Sequence, residues 1–245
     1  MPAPEAWPVA RTMRALEVLA LQPLSAPQVA EALAVHPRTA RRLLNRLRDE
    51  GYVSRSDDAR RLYAPTMRLV ALAGQVAQRA RLTTAAEALI GELWAATGGE
   101  AHLAVPSYRS TVCVVHGGEG AVATRLGELE PCHCTALGKA LLGHRHDWRD
   151  SVLRLPLRPC TPATLVDRGA LEEAAAGVRA RGYATEDGEH RHGIRGVAAP
   201  VFAADGEAVA ALGVSTAGRA ALDDLIAAVV PAAATLTARL EASDG

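Results

Sequence analysis

Apolar residues in the first third of the chain return every three or four positions. Later they alternate between that spacing and short continuous runs. The first mode predicts helices and the second predicts buried strands. Val9 to about Leu21 reads as a helix with Met13, Leu16, Leu19 and Ala20 inward. Leu24-Ser25-Ala26-Pro27-Gln28-Val29 carries a helix start. Ser25 is the N-cap, Gln28 stands at capping-box spacing, and Leu24 and Val29 form the staple. This second helix runs to about Ala34 and buries Val29, Ala30 and Leu33. Val35-His36-Pro37 turns the chain, with Pro37 suited to the first helical position. In His36–Glu50, HPRTARRLLNRLRDE, the stripe Ala40, Leu43, Leu44 and Leu47 faces a core. Gly51 fits the left-handed stop. Tyr52-Val53-Ser54 and Leu62-Tyr63-Ala64, around a polar tip from Arg55 to Arg61, predict a hairpin wing.

Thr66 to Ala80 predicts a connecting helix through Met67, Val70, Ala71, Gly74 and Ala77, whose small residues permit a helix–helix or dimer contact. Next come a helix over Thr83–Ala96 (Leu89, Ile90, Leu93 and Trp94 inward) and strands at Ala101–Val105, Thr111–His116 and Ala121–Arg125. A helix starts near Thr135 with Leu137, Ala140, Leu141 and Leu142 apolar, and another spans Gly169–Arg181. Strands follow at Tyr183–Glu186, Gly196–Phe202 and Ala208–Ser215, the last two joined by the Ala204-Asp205-Gly206 turn. A final helix covers Ala220–Ala242. The fold class is α+β: a winged helix-turn-helix over 1–65, a linker helix over 66–82, and a sensor domain over 83–245 with a mostly antiparallel sheet and helices outside.

Two short helices, a tight turn and a basic second helix make a DNA-reading pattern. The polar side of that second helix holds Arg38, Thr39, Arg41, Arg42, Asn45 and Arg46. Arg forks onto guanine, Asn onto adenine, and Thr reaches a phosphate or a thymine methyl. Ser25, at the start of the preceding helix, and Arg60 and Arg61, read at the base of the wing, are further candidates for backbone contact. Charge supports the split. Residues 1–80 hold 12 Arg and 7 acids, a balance of +5, while residues 81–245 hold 15 basic and 20 acidic residues, a balance of −5. The net zero conceals a basic head drawn to a polyanion and an acidic body.

The 49% apolar content suffices for two cores. No export signal and no apolar run long enough for a membrane span stand out. Cys113, Cys132, Cys134 and Cys160 therefore read as reduced thiols in a cytoplasmic protein. Cys113, in an apolar strand, reads as a small core group.

The order of motifs resembles the IclR family of bacterial transcriptional regulators over nearly the whole chain. The resemblance rests on RTMRALEVLA and SAPQVAEALAVHPRTARRLLNRLRDEGYV in the head. In the body it rests on PCHCTALGKALL (131–142), RARGYATEDGEHRHGIRGVAAPVF (179–202) and VAALGVS (209–215). It implies a GAF-like effector-binding C-terminal domain and a homodimer or homotetramer on double-stranded operator DNA, controlled by a small molecule. The ligand positions it implies are Glu130, Ala136, Leu137, Glu186, Gly196, Gly213 and Ser215. Gly196 departs from the family's usual Cys and Gly213 from its frequent Ser, which implies a roomier cavity.

Glu186, Asp187, Glu189, His190, Arg191, His192 and Arg195 crowd one segment. With Cys132, His133 and Cys134 they offer the ligand types of a zinc site, but C-x-C and H-x-H lack the usual spacings, so the reading is no metal and no cofactor. The alternative is a charged loop over the pocket mouth, with Thr135 and nearby N–H groups open to an anion. His102, His116, His144 and His146 read as isolated. No nucleophile elbow, phosphate loop, dinucleotide fingerprint or H-E-x-x-H occurs, so the chain reads as not an enzyme. The competing reading is a small-molecule sensor or enzyme whose N-terminal helices contact an acidic protein.

Overall fold

A computed structural model describes residues 8–79, 81–119, 125–154, 156–217 and 221–244. These divide at Arg79 into two compact units. The first comprises α1 (Pro8–Leu21), α2 (Ala26–Ala32), α3 (Pro37–Asp49), a hairpin of β1 (Val53–Arg55) and β2 (Tyr63–Pro65), and α4 (Met67–Arg79). Gln28 Oε1 accepts from Ser25 N at 2.9 Å and from Ser25 Oγ at 2.7 Å, which fixes the entry to α2. His36 caps α3, its Nδ1 accepting from Arg38 N at 3.2 Å.

At the far end of α3, Gly51 takes φ +76°. There Gly51 N donates to Arg48 O at 2.9 Å and Tyr52 N to Leu47 O at 2.8 Å. This pair of bonds closes a helix at a left-handed residue, a conformation that costs glycine little. Leu24 and Tyr63 exchange backbone bonds of 3.1 and 2.8 Å, tying the wing to the start of α2.

The head core gathers Ala15, Leu16 and Leu19 from α1, Val29 and Ala30 from α2, and Ala40, Leu44 and Leu47 from α3. Each buried leucine contributes about 1.5–3 kcal/mol. Three details differ from expectation. Met13 is 55% exposed and Ala20 is also outside, because the inward face of α1 runs through the small Ala15 instead. Leu43 is only half-buried. Arg60 and Arg61 sit in the wing's tip turn, not at its base. Asp58 Oδ1 organises that turn by accepting from Ser56 Oγ at 2.7 Å and from the N–H groups of Arg60 and Arg61 at 3.1 Å. The first turn of α4 belongs to the head: Thr66 Oγ1 donates to Gly51 O at 2.6 Å, and Leu69 packs on the core. Met67 and Val70 remain exposed, and the side chains of Gly74 and Ala77 lie outside the described residues.

The second unit comprises α5 (Arg81–Thr97), β3 (Glu100–Ser107), β4 (Ser110–Gly117), β5 (Leu129–Pro131), α6 (Ala136–His144), α7 (His146–Leu153), α8 (Arg168–Arg181), β6 (Ala184–Asp187), β7 (Ile194–Phe202), β8 (Ala208–Ala217) and α9 (Leu222–Asp244). The strands form one sheet in the order β5-β4-β3-β8-β7-β6, with every neighbouring pair antiparallel. On one face, Ala86, Leu89, Ile90 and Leu93 of α5 and Leu225, Val229, Ala233 and Leu236 of α9 meet Leu103, Val197, Val201, Leu212 and Val214. On the other, Ala136, Leu137, Ala140 and Leu141 of α6 meet Ala104, Ala198 and Ala211, with Val178 of α8 in the same cluster. β7 and β8 are covered on both faces and so read as near-continuous apolar runs.

The structure corrects the expected layering. α6 is not an outer helix: every residue from Ala136 to Gly143 is buried. Small residues permit this. A Cβ on Gly138 would stand 2.1 Å from the backbone oxygen of Cys132, and one on Gly143 would stand 2.7 Å from Val178 Cγ1. Trp94 is 41% exposed rather than inward. α7 and β5 carry no periodicity long enough to be read beforehand. The strand expected at Ala121–Arg125 falls almost wholly outside the described residues. α9 is, by length and composition, apolar enough to cross a membrane, with mean hydropathy 1.4, contrary to the expectation that no such segment exists. One face of it nevertheless packs on the sheet.

Gly138 and Gly91 should respond in opposite ways to alanine. Gly138→Ala must displace the Cys132 backbone and should cost about 3 kcal/mol or more. Gly91→Ala meets nothing within 4 Å on exposed α5 and should stabilise by about 0.4–1 kcal/mol. Urea unfolding followed by circular dichroism measures both; a neutral Gly138→Ala contradicts the close packing.

Candidate nucleic-acid interface and ligand pocket

In the head, the packing of Ala40, Leu44 and Leu47 turns the opposite side of α3 outward. Arg38, Arg41, Arg42 and Arg46 are exposed and Thr39 and Asn45 half-buried; with His36 they line one concave surface. Among the described residues none of these guanidinium groups is paired with a carboxylate, and the same holds for Arg60 and Arg61 in the wing tip. Unpaired, exposed arginines beside an amide and a hydroxyl form a donor-rich surface suited to phosphates and base edges. Ser25 stands at the start of α2 with its hydroxyl donated to Gln28.

In the second unit, the antiparallel register sets Glu100 opposite Ser215, Ser215 opposite Gly196, and Gly196 opposite Glu186. A row across the sheet thus passes beneath the start of α6. There Glu130, Ala136, Leu137, Glu186 and Ser215 line a small cavity, together with Thr135, His190 and Arg191. Five of the seven expected ligand positions therefore converge. Gly196 and Gly213 do not line it. A Cβ at Gly213 would lie 2.7 Å from Val197 O and 2.8 Å from Ala198 Cβ, and one at Gly196 would lie 3.3 Å from both Ser215 Oγ and Val214 O. A side chain at Gly196 would press on Ser215 and approach Ala136, and one at Gly213 would press on Leu137, all three of which line the cavity. The enclosed volume is about 20 Å³, room for about one water, which corrects the expectation of a roomier cavity.

Two of the N–H groups expected to greet an anion are already engaged. Thr135 Oγ1 accepts from Gly138 N at 3.1 Å, and Glu186 Oε2 accepts from Ala136 N at 3.3 Å. Glu186 Oε1 also accepts from His190 N at 3.2 Å. Burial outweighs these bonds and pushes the Glu186 carboxyl up to about 7. Glu130 Oε1 lies 3.7 Å from His190 Nδ1, and burial lowers the His190 imidazole. Lys139, on buried α6, pairs with Glu189.

Among the described residues no three of His, Cys, Asp and Glu converge as metal ligands. His133 Nε2 meets Arg158 O at 3.0 Å, and Cys134 Sγ meets Cys160 Sγ at 3.6 Å. Asp187 pairs with Arg195 and His192 is exposed. Burial pushes Cys113 up to about 12, as suits a core thiol. His102 and His116 are not isolated: their rings stand 5.2 Å apart on β3 and β4. Burial drives the fully enclosed His102 down to about 3. Sequence alone gave no signal for this pair, because only strand register brings them together.

Comparison with known proteins identifies both units of the chain. The model for the IclR helix-turn-helix domain matches residues 8–57, and that for the bacterial transcriptional regulator IclR C-terminal region matches residues 74–238. The HTH-type transcriptional regulator XynR of Escherichia coli (strain K12) is 30% identical over 213 residues, covering 83% of this chain and 84% of that protein. BhcR of Paracoccus denitrificans (strain Pd 1222) is 31% identical over 212 residues, covering 82% and 75%. An IclR transcriptional regulator from Alicyclobacillus acidocaldarius superposes with TM-score 0.83 at 26% identity, covering 96% of this chain and 98% of that one. An IclR homolog from Microbacterium hydrocarbonoxydans, complexed with 4-hydroxybenzoate, shares the fold at TM-score 0.82 and 24% identity, covering 96% and 99%.

Two titrations oppose one another in stability. Glu186, raised when folded, contributes stability that is full below the unfolded carboxyl value and lost as pH rises toward about 7. His102, depressed when folded, lets stability rise with pH up to the unfolded imidazole value of 6.5. Glu186→Gln should therefore make unfolding free energy climb more steeply between pH 5 and 6.5, by about 1.4 kcal/mol per pH unit. Chemical denaturation at half-unit pH steps reads this slope; an unchanged slope places the Glu186 titration outside that window.

Proposed function

Because the chain belongs to the IclR family of bacterial transcriptional regulators, we propose that a small molecule bound near Glu186 controls its hold on operator DNA. It is a transcriptional regulator with an N-terminal helix-turn-helix and a C-terminal effector-binding domain. The observation that carries the reading is the outward arginine face of α3, none of whose guanidinium groups is paired with a carboxylate among the described residues, held by leucines behind it. Arg38, Thr39, Arg41, Arg42, Asn45 and Arg46 meet bases or phosphates, with Ser25, Arg60 and Arg61 on the flanking backbone. The working division is a head over 1–65, a linker over 66–82 and a sensor over 83–245.

The protein acts as a cytoplasmic homodimer or homotetramer, without catalysis, cofactor, metal or membrane, and as a repressor on a near-palindromic site. Ligand changes operator affinity only through unequal affinity for two arrangements of the protein. The related proteins compared are transcriptional regulators, which favours this reading over a sensor or enzyme using its helices for protein contacts. The engaged N–H groups and the raised Glu186 carboxyl support a small organic acid that accepts a hydrogen bond from protonated Glu186, opening the cavity as it binds. The 4-hydroxybenzoate complex of the Microbacterium hydrocarbonoxydans homolog makes aromatic acids the first probes.

Fluorescence anisotropy with DNA upstream of the protein's own gene tests the head. Arg42→Ala should cost about 1–3 kcal/mol on the specific site if it reads a base; if it meets phosphate, it should weaken binding uniformly and lower the salt slope by about one. Unchanged affinity and slope remove Arg42 from the interface. A thermal-shift panel of organic acids tests the sensor. An acid that binds should bind several-fold more tightly at pH 6 than at pH 8, and Glu186→Gln should flatten that dependence. Binding that strengthens with pH contradicts the protonated carboxyl.

A further inference from the structure

Among the described residues four cysteines are free, and three of them are buried. Cys113 Sγ is directed to Val115 O at 3.3 Å, and Cys132 Sγ to Arg109 O at 3.1 Å. The other two face each other. Cys134, buried in the turn before α6, places Sγ 3.6 Å from Sγ of the exposed Cys160, twenty-six residues along the chain. That is van der Waals contact between sulfurs, and a bond needs closure to about 2.05 Å. Cys160 belongs to an exposed segment.

Both sulfurs adjoin groups that shape the ligand cavity. Cys134 precedes Thr135, the cap of α6 and part of the cavity lining. Cys160 precedes Thr161, whose hydroxyl donates to Gly188 O at 2.7 Å, and Thr164 Oγ1 donates to Glu189 O at 2.6 Å. Cys160 N and Thr161 N both donate to Thr164 Oγ1 at 2.9 Å, closing the segment on itself. This clamp holds the Gly188–Glu189 turn, and the next two residues, His190 and Arg191, line the cavity.

We propose that Cys134 and Cys160 form an oxidant-sensitive dithiol whose disulfide locks the clamp against the start of α6 and so stiffens the ligand-binding loop. The co-reactant is hydrogen peroxide. The exposed Cys160 sulfur attacks the peroxide, the O–O bond breaks, an S–O bond forms, and Cys160 sulfenic acid and one water result. The Cys134 sulfur then attacks the Cys160 sulfur; the S–S bond forms, the S–O bond breaks, and the oxygen departs as a second water with the Cys134 proton. The two thiols lose two electrons and the peroxide gains them. Burial, and next the Cys160 sulfur in contact with it, hold the Cys134 thiol protonated, and Cys160 is the exposed sulfur of the pair, so the first oxidation falls on Cys160. A small-molecule thiol reverses the bond by exchange.

The test uses the reduced full-length protein and a few equivalents of hydrogen peroxide. Thiol titration after denaturation should show two thiols lost per chain, restored by dithiothreitol, with peptide mapping placing the bond between Cys134 and Cys160. Cys160→Ser, at an exposed position, should keep its remaining thiols. Cys134→Ser should stop at a sulfenic acid on Cys160 that dimedone traps. Hydrogen exchange over 186–194 should slow at least threefold in the oxidised protein and not in oxidised Cys160→Ser. Retention of all four thiols, over-oxidation of Cys160 without a cross-link, or a bond between two chains overturns the dithiol. A Cys134–Cys160 bond with unaltered exchange over 186–194 overturns its coupling to the pocket.

Discussion

The sensor half depends on one close approach: α6 lies against the backbone of Cys132 because Gly138 has no side chain there. That contact admits a helix into the interior, with sheet below and α8 above. Everything polar near the cavity follows from it. With α6 enclosed, its first N–H groups lose water and must find partners inside the protein. Thr135 and Glu186 supply them. The same enclosure strips water from the Glu186 carboxylate and raises its proton affinity against the two bonds it accepts. It also forces the buried Lys139 to carry its own counter-charge, Glu189.

The head rests on an unrelated device. Its helices are short and marginal alone. Ser25 with Gln28, His36, and Gly51 begin or end them, and a shared leucine core holds them together. Burial on one side of α3 is what presents arginines on the other. The head's surplus positive charge governs association with a polyanion and leaves the fold to the core.

Much of this was legible in the residues, most clearly where cause is local. Ser25, Pro37 and Gly51 mark helix ends through backbone geometry, and the Ala204-Asp205-Gly206 turn joins β7 to β8 for the same reason. Five of the seven residues that the family resemblance singled out line one small cavity. The errors fall where packing chooses among similar residues. Met13 and Trp94 stay outside while Ala15 goes in, because a close approach of elements favours a methyl over a long side chain. Gly196 and Gly213 suggested space, but the cavity beside them is small and Leu137 already stands close to Gly213.

The sequence by itself determined most of the elements, the outward arginines of α3 and the contrast between a basic head and an acidic body. Periodicity, caps and charge act over a turn or two of chain, so they are visible in linear order. Tertiary structure alone decided that α6 is buried, that His102 stands beside His116, and that Cys134 faces Cys160. Those pairings depend on strand register and on which surfaces lose their water, and neither can be read from spacing along the chain.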